Sequence, residues 1–157
     1  MKVGIMPIQL VQARRFFISA PLSFLAACFF STVLNAAEYG NAIVTAVRTI
    51  YDGDTFRADI SGWPAVVGEG IPIRIKGIDT PEMRGKCQSE KDAARAAKQF
   101  SVGRLGGVGV IELKSIERDK YFRLLAEVWI DGVSLGEQLI HAGFAVPYGG
   151  GTKVAWC

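Results

Sequence analysis

Apolar and polar residues alternate along much of the chain, and this alternation predicts a protein built mainly from β-strands. In the segment Thr55–Ile60, Phe56, Ala58 and Ile60 share one face while polar side chains share the other, which is the period of a half-buried strand. Alternation, or a run rich in Ile, Val and Thr, predicts five strands in total. The predicted strands are Asn41–Ile50, Thr55–Ile60, Ile71–Lys76, Val108–Leu113 and Leu124–Ile130.

Two segments have a helical period instead. From Ser89 onwards, alanines and Phe100 form one apolar stripe, and Ser89 is the expected N-cap. The second helix is predicted to begin at Ser134, with Glu137 completing a capping box and Gly143 stopping the helix. The order is three strands, helix, two strands, helix. This mainly β arrangement with helices (α+β) matches a five-stranded OB-fold barrel with two helices, and an open α+β sheet is the alternative.

Residues 1–37 have the pattern of an N-terminal signal segment. They contain three basic residues and no acid, then a 19-residue apolar run over Phe16–Leu34, then small residues ending at Ala37. This order is typical of a cleaved secretory signal peptide. The run is also long enough for an uncleaved anchor, and Leu25–Cys28 resembles a bacterial lipobox. We therefore expect residues 38–157 to form one domain of an exported, periplasmic or secreted protein, which contacts a membrane only if the segment is uncleaved or lipidated.

Net charge does not identify a partner for this domain. The 157 residues include 18 Lys+Arg and 15 Asp+Glu, a formal net charge of +3. That excess lies entirely within residues 1–37, so the domain is neutral overall and its bulk charge gives no argument for nucleic acid. A charged fraction of 21% argues against a disordered chain. The single histidine, His141, excludes a multi-histidine metal site.

Acidic residues gather at two predicted turns, with Asp52 and Asp54 before the second strand and Asp79 and Glu82 after the third. If these strands are neighbours, Asp54, Asp79 and Glu82 converge at one sheet edge. Carboxylates in contact repel unless a cation lies among them, and oxygen ligands alone are typical of Ca²⁺ or Mg²⁺. The alternative is that both turns are simply solvated, and turn chemistry is a sufficient explanation for Asp52.

Two arginines and two tyrosines add to these acids. Arg74 lies on the polar face of the third strand, and Arg123 precedes the fifth. Guanidinium groups bind phosphate oxygens through paired N–H groups, so with a metal and a carboxylate they would suit phosphodiester hydrolysis. Tyr121 and Tyr148 are candidates for stacking on bases. Surface ion pairs and ordinary packing are the alternatives, and Gly149–Lys153 has the wrong residue order for a phosphate-binding P-loop.

Two cysteines, Cys87 and Cys157, follow the signal segment. An even number of cysteines suits an oxidising compartment. Sequence leaves open whether they form a disulfide or stay as two free thiols, because the pairing depends on unknown geometry.

Three segments together resemble one known family. Asp52–Thr55 (DGDT), Ile73–Glu82 (IRIKGIDTPE) and Asp119–Ala126 (DKYFRLLA) are similar to motifs of the staphylococcal, or micrococcal, nucleases, also called thermonucleases. The segments occur in the right order on the predicted elements. The resemblance implies an OB-fold, Ca²⁺-dependent phosphodiesterase that acts on DNA and RNA and leaves 3′-phosphate ends. We expect it to be a monomer.

The resemblance also implies ligands for the calcium ion. Asp54 and Asp79 would supply carboxylates, and Thr80 a backbone carbonyl.

On the substrate side, the resemblance implies that Glu82 orients or deprotonates the attacking water, while Arg74 and Arg123 hold the phosphate. Because all these positions keep the expected residue type, an enzyme is favoured over a non-catalytic OB module that binds nucleic acid or protein. The chain departs from the family at Phe122, where a glycine is usual. Tyr148 matches a stacking tyrosine of the family only if one residue is deleted nearby.

Overall fold

The computed structural model describes residues 39–157, so the predicted signal segment lies outside the described residues. Within this range the chain forms eight strands and three helices, in the order β1 Ala42–Ile50, β2 Thr55–Ile60, α1 Ala65–Gly68, β3 Ile71–Ile75, β4 Ile78–Asp79, α2 Gln88–Leu105, β5 Ile111–Arg118, β6 Leu124–Ile130, β7 Val133–Ser134, α3 Leu135–His141 and β8 Val146–Pro147. None of the helices in residues 39–157 has the combination of length and apolar character that crossing a bilayer requires.

Five strands close into a barrel because β3 pairs along both of its edges. The order is β3-β2-β1-β5-β6, with antiparallel neighbours throughout. β6 then returns to β3 as a parallel partner, with Ile73 opposite Leu124. This closure is the strand order of an OB-fold. The predicted OB-fold barrel is therefore confirmed, and the open sheet is excluded.

The barrel interior is filled by the apolar face of each strand. Phe56, Ile73, Leu113 and Leu124 are each no more than 1% exposed. Full burial of one such side chain contributes about 1.5–3 kcal/mol relative to leaving it in water. Because the interior is packed with side chains, polar chemistry is confined to the ends of the barrel and its outer surface.

The predicted strand at Val108–Leu113 was wrong in its bounds. Val108 is fully exposed in the loop after α2, and β5 begins at Ile111. A bulge at Ser115, where φ is +51°, lies within the register shift against β6. The bulge adds one residue before the next inward side chain, Ile116, so simple alternation does not continue through β5.

Of the two predicted helix caps, one is present. Ser89 does not cap α2, because the N-cap position falls on Cys87 and carries no side-chain hydrogen bond. At α3, Ser134 Oγ accepts the backbone N–H of Glu137 at 3.3 Å, as predicted. Gly143 follows the end of α3 with φ at +75°, which is the usual left-handed stop.

Candidate functional site

The two predicted acidic turns meet at one end of the barrel. β2 and β3 are antiparallel neighbours with Thr55 opposite Arg74, so the start of β2 and the end of β3 lie at the same edge. Asp54 and Asp79 are each 1% exposed there. The backbone N–H of Thr80 donates to Asp54 Oδ2 at 3.3 Å. Two carboxylates from separate turns thus become part of one buried cluster.

Arg74 bridges these two carboxylates. Its Nη1 donates to Asp54 Oδ1 at 2.7 Å, and its Nη2 donates to Asp79 Oδ1 at 2.9 Å. Burial alone would lower the pKa of Arg74, but the charges of Asp54 and Asp79 outweigh burial and raise the pKa above its usual value. The guanidinium therefore stays charged, and its position is fixed from two sides.

The cluster still contains a carboxylate oxygen without a partner and an acid whose pKa is raised. Asp79 Oδ2 is buried without a hydrogen-bond partner among the described residues, which is costly for a charged oxygen. Asp52 accepts the N–H of Asp54 at 3.1 Å, and burial, with the charge of Asp54 beside it, raises the pKa of Asp52 to about 7. Neighbouring carboxylate oxygens that lack sufficient hydrogen-bonding or cationic partners fit a hard divalent cation such as Ca²⁺.

Glu82 lies at the exposed side of this cluster. Its side chain is 47% exposed, and its Oε1 contacts Nζ of Lys153. The same Nζ lies 2.9 Å from Asp79 Oδ1. Burial alone would lower the pKa of Lys153, but its hydrogen bonds to Glu82 and Asp79 raise it. A lysine from the far end of the chain thus joins the predicted acids.

Helix α2 sets the position of the loop that carries Asp54. Gly53 lies against the helix so closely that a Cβ there would come within 2.8 Å of Ala97 Cβ and 2.9 Å of Thr80 Cγ2. The buried hydroxyl of Ser101 donates to the Gly53 carbonyl at 2.7 Å. Glycine is required here for close approach, which the dipeptide Asp-Gly does not reveal in the sequence.

Arg123 lies near the cluster without touching its carboxylates. Nε and Nη2 donate to Asp119 Oδ2 at 2.8 Å and 2.7 Å. Burial alone would raise the pKa of Asp119, but hydrogen bonds from Arg123 and from the N–H of Tyr121 lower it. Asp119 therefore holds the guanidinium in place. Phe122, directly before Arg123, has φ at +63°, a left-handed backbone that glycine adopts more readily than other residues.

Arg74, Glu82, Arg123 and Lys153 line a shared open groove of about 1410 Å³. The groove contains seven basic and three acidic side chains, so it is locally positive although the domain is neutral. The basic residues are Arg57, Arg74, Arg84, Lys98, Lys120, Arg123 and Lys153. Tyr121 and Tyr148, the two predicted stacking residues, also line it. The structure therefore brings every predicted site residue to this groove or to the buried cluster beside it.

Cys87 and Cys157 form a disulfide with 5.9 Å between their Cα atoms. The disulfide joins the start of α2 to the end of the chain, and it answers the question that the sequence left open. The disulfide also points to a sequence feature that could have indicated Lys153 as a site residue. The sequence prediction missed this lysine. Cys87 lies five residues after Glu82 and Cys157 four residues after Lys153, so pairing the cysteines brings the lysine toward the glutamate.

The groove residues Arg84 and Lys98 were missed for a different reason. Lys98 follows Ala97 on α2, and Arg84 lies in the loop before that helix. Both look like ordinary solvated charges in the sequence, and nothing in their spacing indicates that they face the acids. Only the packing of α2 on the barrel aligns them with Arg74 and Arg123.

The sequence of this chain matches one known protein family and several known proteins. Residues 72–153, slightly more than half of the chain, match the family described as staphylococcal nuclease homologue. Endonuclease YncB of Bacillus subtilis is 35% identical over 109 residues, which cover 65% of this chain and 46% of that protein. The SPbeta prophage-derived endonuclease YokF of the same organism is also 35% identical over 109 residues, 65% of this chain and 33% of YokF.

A thermonuclease of Staphylococcus intermedius is 30% identical over 100 residues, 63% of this chain and 56% of that protein. The matches thus cover only 33% to 56% of these three relatives. The matched segment nevertheless contains β3 from Pro72 onwards, the turn with Asp79 and Glu82, and the loop with Arg123. This chain belongs to the family of staphylococcal nuclease homologues.

Proposed function

We propose that the domain is a nuclease that hydrolyses phosphodiester bonds of DNA and/or RNA, with Ca²⁺ as its cofactor and 3′-phosphate ends as its products. The observation that supports this proposal most strongly is the bridge of Arg74 between the buried carboxylates Asp54 and Asp79, beside Glu82 in a basic groove. The names endonuclease and thermonuclease among the relatives support the same activity.

The groove is suited to a single strand of nucleic acid. Lysines and arginines along its walls would neutralise backbone phosphates. Tyr121 is 67% exposed, so its ring is free to stack on a base. Arg123 lies 5.5 Å from the centre of the Tyr121 ring. A phosphate held by this guanidinium would therefore place an adjacent base within reach of the ring.

Each catalytic step has a residue of suitable chemistry. Asp54, Asp79 and the carbonyl of Thr80 would hold Ca²⁺, which supplies positive charge to the phosphate as negative charge develops on it. Glu82 accepts a proton from the water whose oxygen bonds to phosphorus. N–H groups of Arg74 and Arg123 donate to phosphate oxygens. The bond from phosphorus to the 5′-oxygen breaks and that oxygen takes up a proton from solvent water, to which Glu82 returns the proton it accepted, which leaves a 3′-phosphate and a 5′-hydroxyl.

The test is cleavage of single-stranded DNA and of RNA by the purified protein, with Ca²⁺, with other divalent ions and with chelator. We expect cleavage with Ca²⁺ and none with chelator. Glu82→Gln should lower the rate by about 10²–10⁴-fold, and Arg74→Ala by about 10²–10³-fold. Matched controls are Glu127→Gln and Arg95→Ala, which lie outside the groove.

The 3′ ends of the cleavage products provide a second test in the same reactions. A 3′-phosphate blocks extension by a polymerase until a phosphatase removes it, whereas a 3′-hydroxyl is extended at once. Activity unchanged by Glu82→Gln or by Arg74→Ala would rule out the mechanism. Binding of single-stranded DNA without cleavage under any metal would identify a non-catalytic binding module instead.

We also propose that the protein is exported and acts as a monomer. The Cys87–Cys157 disulfide supports an oxidising compartment. Expression in a bacterial host should give a periplasmic or secreted product that begins at Glu38 by N-terminal sequencing, and size-exclusion chromatography should give the mass of one chain. Recovery in the membrane fraction with Met1 intact would indicate an anchor.

A further inference from the structure

The C-terminal tail, defined as residues 149–157, is fixed at both ends. Before its start, β8 pairs with β4, and the N–H of Tyr148 donates to the Gly77 carbonyl at 2.9 Å. At its end, Cys157 is bonded to Cys87. Both attachments lie close in sequence to the turn that carries Asp79 and Glu82, one at Gly77 before it and the other at Cys87 after it.

One side chain of the tail reaches the carboxylate cluster. Gly150 and Gly151 have φ of +103° and +89°, which permits the turn that leads to Lys153. The Lys153 ammonium lies 2.9 Å from Asp79 Oδ1 and also contacts Glu82 Oε1. These are the residues that the proposed function assigns to the metal and to the attacking water.

A cation that already holds these oxygens opposes a second cation at the same place. Lys153 and a divalent ion would share Asp79, and like charges at contact distance repel strongly in a partly buried site. The Lys153 side chain is 41% exposed, so water can receive its ammonium when it leaves. Loading of the metal would therefore require Lys153 to give up its contacts.

We propose that Lys153 is an internal counter-ion that competes with the divalent cation for Asp79 and Glu82, and that the Cys87–Cys157 disulfide keeps it in place. This inference rests on the proposed function in taking Asp79 as a metal ligand. Its consequence is a lowered affinity for the metal. The enzyme would then be loaded only where calcium is abundant, as it is outside cells.

The test is isothermal titration calorimetry of Ca²⁺ into the metal-free, oxidised protein, compared with Lys153→Met. Methionine retains an unbranched side chain only one heavy atom shorter and removes the charge. We expect the dissociation constant for Ca²⁺ to fall by about tenfold or more in this variant. The matched control is Lys91→Met on α2, a lysine outside both the groove and the salt bridges of the described residues, which should bind as wild type does.

A second measurement is the thermal unfolding midpoint in chelator and in Ca²⁺. Calcium should raise the midpoint of Lys153→Met by more than it raises that of wild type, because tighter binding stabilises the folded state further. An equal or weaker calcium effect in Lys153→Met, by either method, would overturn the inference. A lack of calcium binding in both proteins would also overturn the inference. The nuclease proposal fails on a different result, namely that no divalent ion supports cleavage.

The role of the disulfide is tested by a double-mutant cycle. Cys87→Ser with Cys157→Ser should also tighten calcium binding, by less than Lys153→Met does, and should add nothing once Lys153 is methionine. A fully additive effect would show that the disulfide acts on the metal without Lys153. If the serine variant binds calcium as wild type does, the disulfide does not hold the lysine.

Discussion

Gly53 lies so close to Ala97 that a methyl group on its Cα would come within 2.8 Å of the Ala97 methyl carbon. This contact joins the loop before β2 to the middle of α2. The distance between helix and barrel therefore determines where Asp54 lies.

We expect Gly53→Ala to destabilise the protein by about 1–3 kcal/mol, the usual cost of overpacking. It should also lower activity, because relief of the clash displaces Asp54 from Arg74. Urea unfolding and the cleavage assay measure the two effects. The control is Gly103→Ala on the same helix, where a Cβ meets open space, and helix propensity predicts a gain of up to about 1 kcal/mol. Equal stability of Gly53→Ala and wild type would contradict the tight contact.

Phe122 should be replaceable by glycine with a gain in stability. Its φ of +63° costs a non-glycine residue about 1–2 kcal/mol, and the residue is 78% exposed, so little packing is lost. Phe122→Gly should therefore raise the unfolding midpoint, while Phe122→Ala, which keeps the Cβ, should not. A lower midpoint for the glycine variant would show that the phenyl ring makes a stabilising contact.

Asp59 should make stability depend on pH in acid. It accepts Nε of Arg48 at 2.8 Å and the N–H of Gly70 at 2.8 Å, and these bonds, chiefly the one from Arg48, lower its pKa below the ordinary 3.8. Because the folded state binds this proton less readily than the unfolded state, the stabilisation is complete above pH 3.8 and is lost as pH falls through the lower folded pKa.

The measurement is the urea midpoint of wild type and Asp59→Asn across this acid range. The difference between the two should shrink as pH falls, because asparagine does not titrate. A constant difference at every pH would contradict the lowered pKa.

Removal of the disulfide should destabilise the domain substantially. Cys87 and Cys157 are separated by 70 residues, and closing a loop of this length in the unfolded chain is worth about 4 kcal/mol in the chain-entropy estimate. We expect Cys87→Ser with Cys157→Ser to lower the free energy of unfolding by that order in urea. A reducing agent should lower the wild-type value similarly and leave the serine variant unchanged. Equal stability of the oxidised and reduced wild type would contradict the prediction.

Much of the fold follows from local sequence. Alternation in Thr55–Ile60 and Leu124–Ile130 is sufficient to predict β2 and β6, because the inward side chains of each strand are more deeply buried than most of the side chains between them. The cap of α3 follows from Ser134 and Glu137 for a similarly local reason. Where a non-local bond or a bulge intervenes, as at Cys87 before α2 and at Ser115 in β5, the pattern misplaces the element.

The sequence by itself determined which residues are chemically able to act, since Asp54, Asp79 and Glu82 carry carboxyl groups and Arg74 and Arg123 carry guanidinium groups whatever the fold. Only the tertiary structure decided what holds them. Arg74 bridges two buried acids, Asp119 fixes Arg123, Lys153 contacts Asp79, and two distant cysteines form a disulfide. The physical reason is that functional groups belong to single residues, and the alternation of apolar and polar positions belongs to short segments. Burial and contact, in contrast, depend on strands and loops that meet only when the barrel closes.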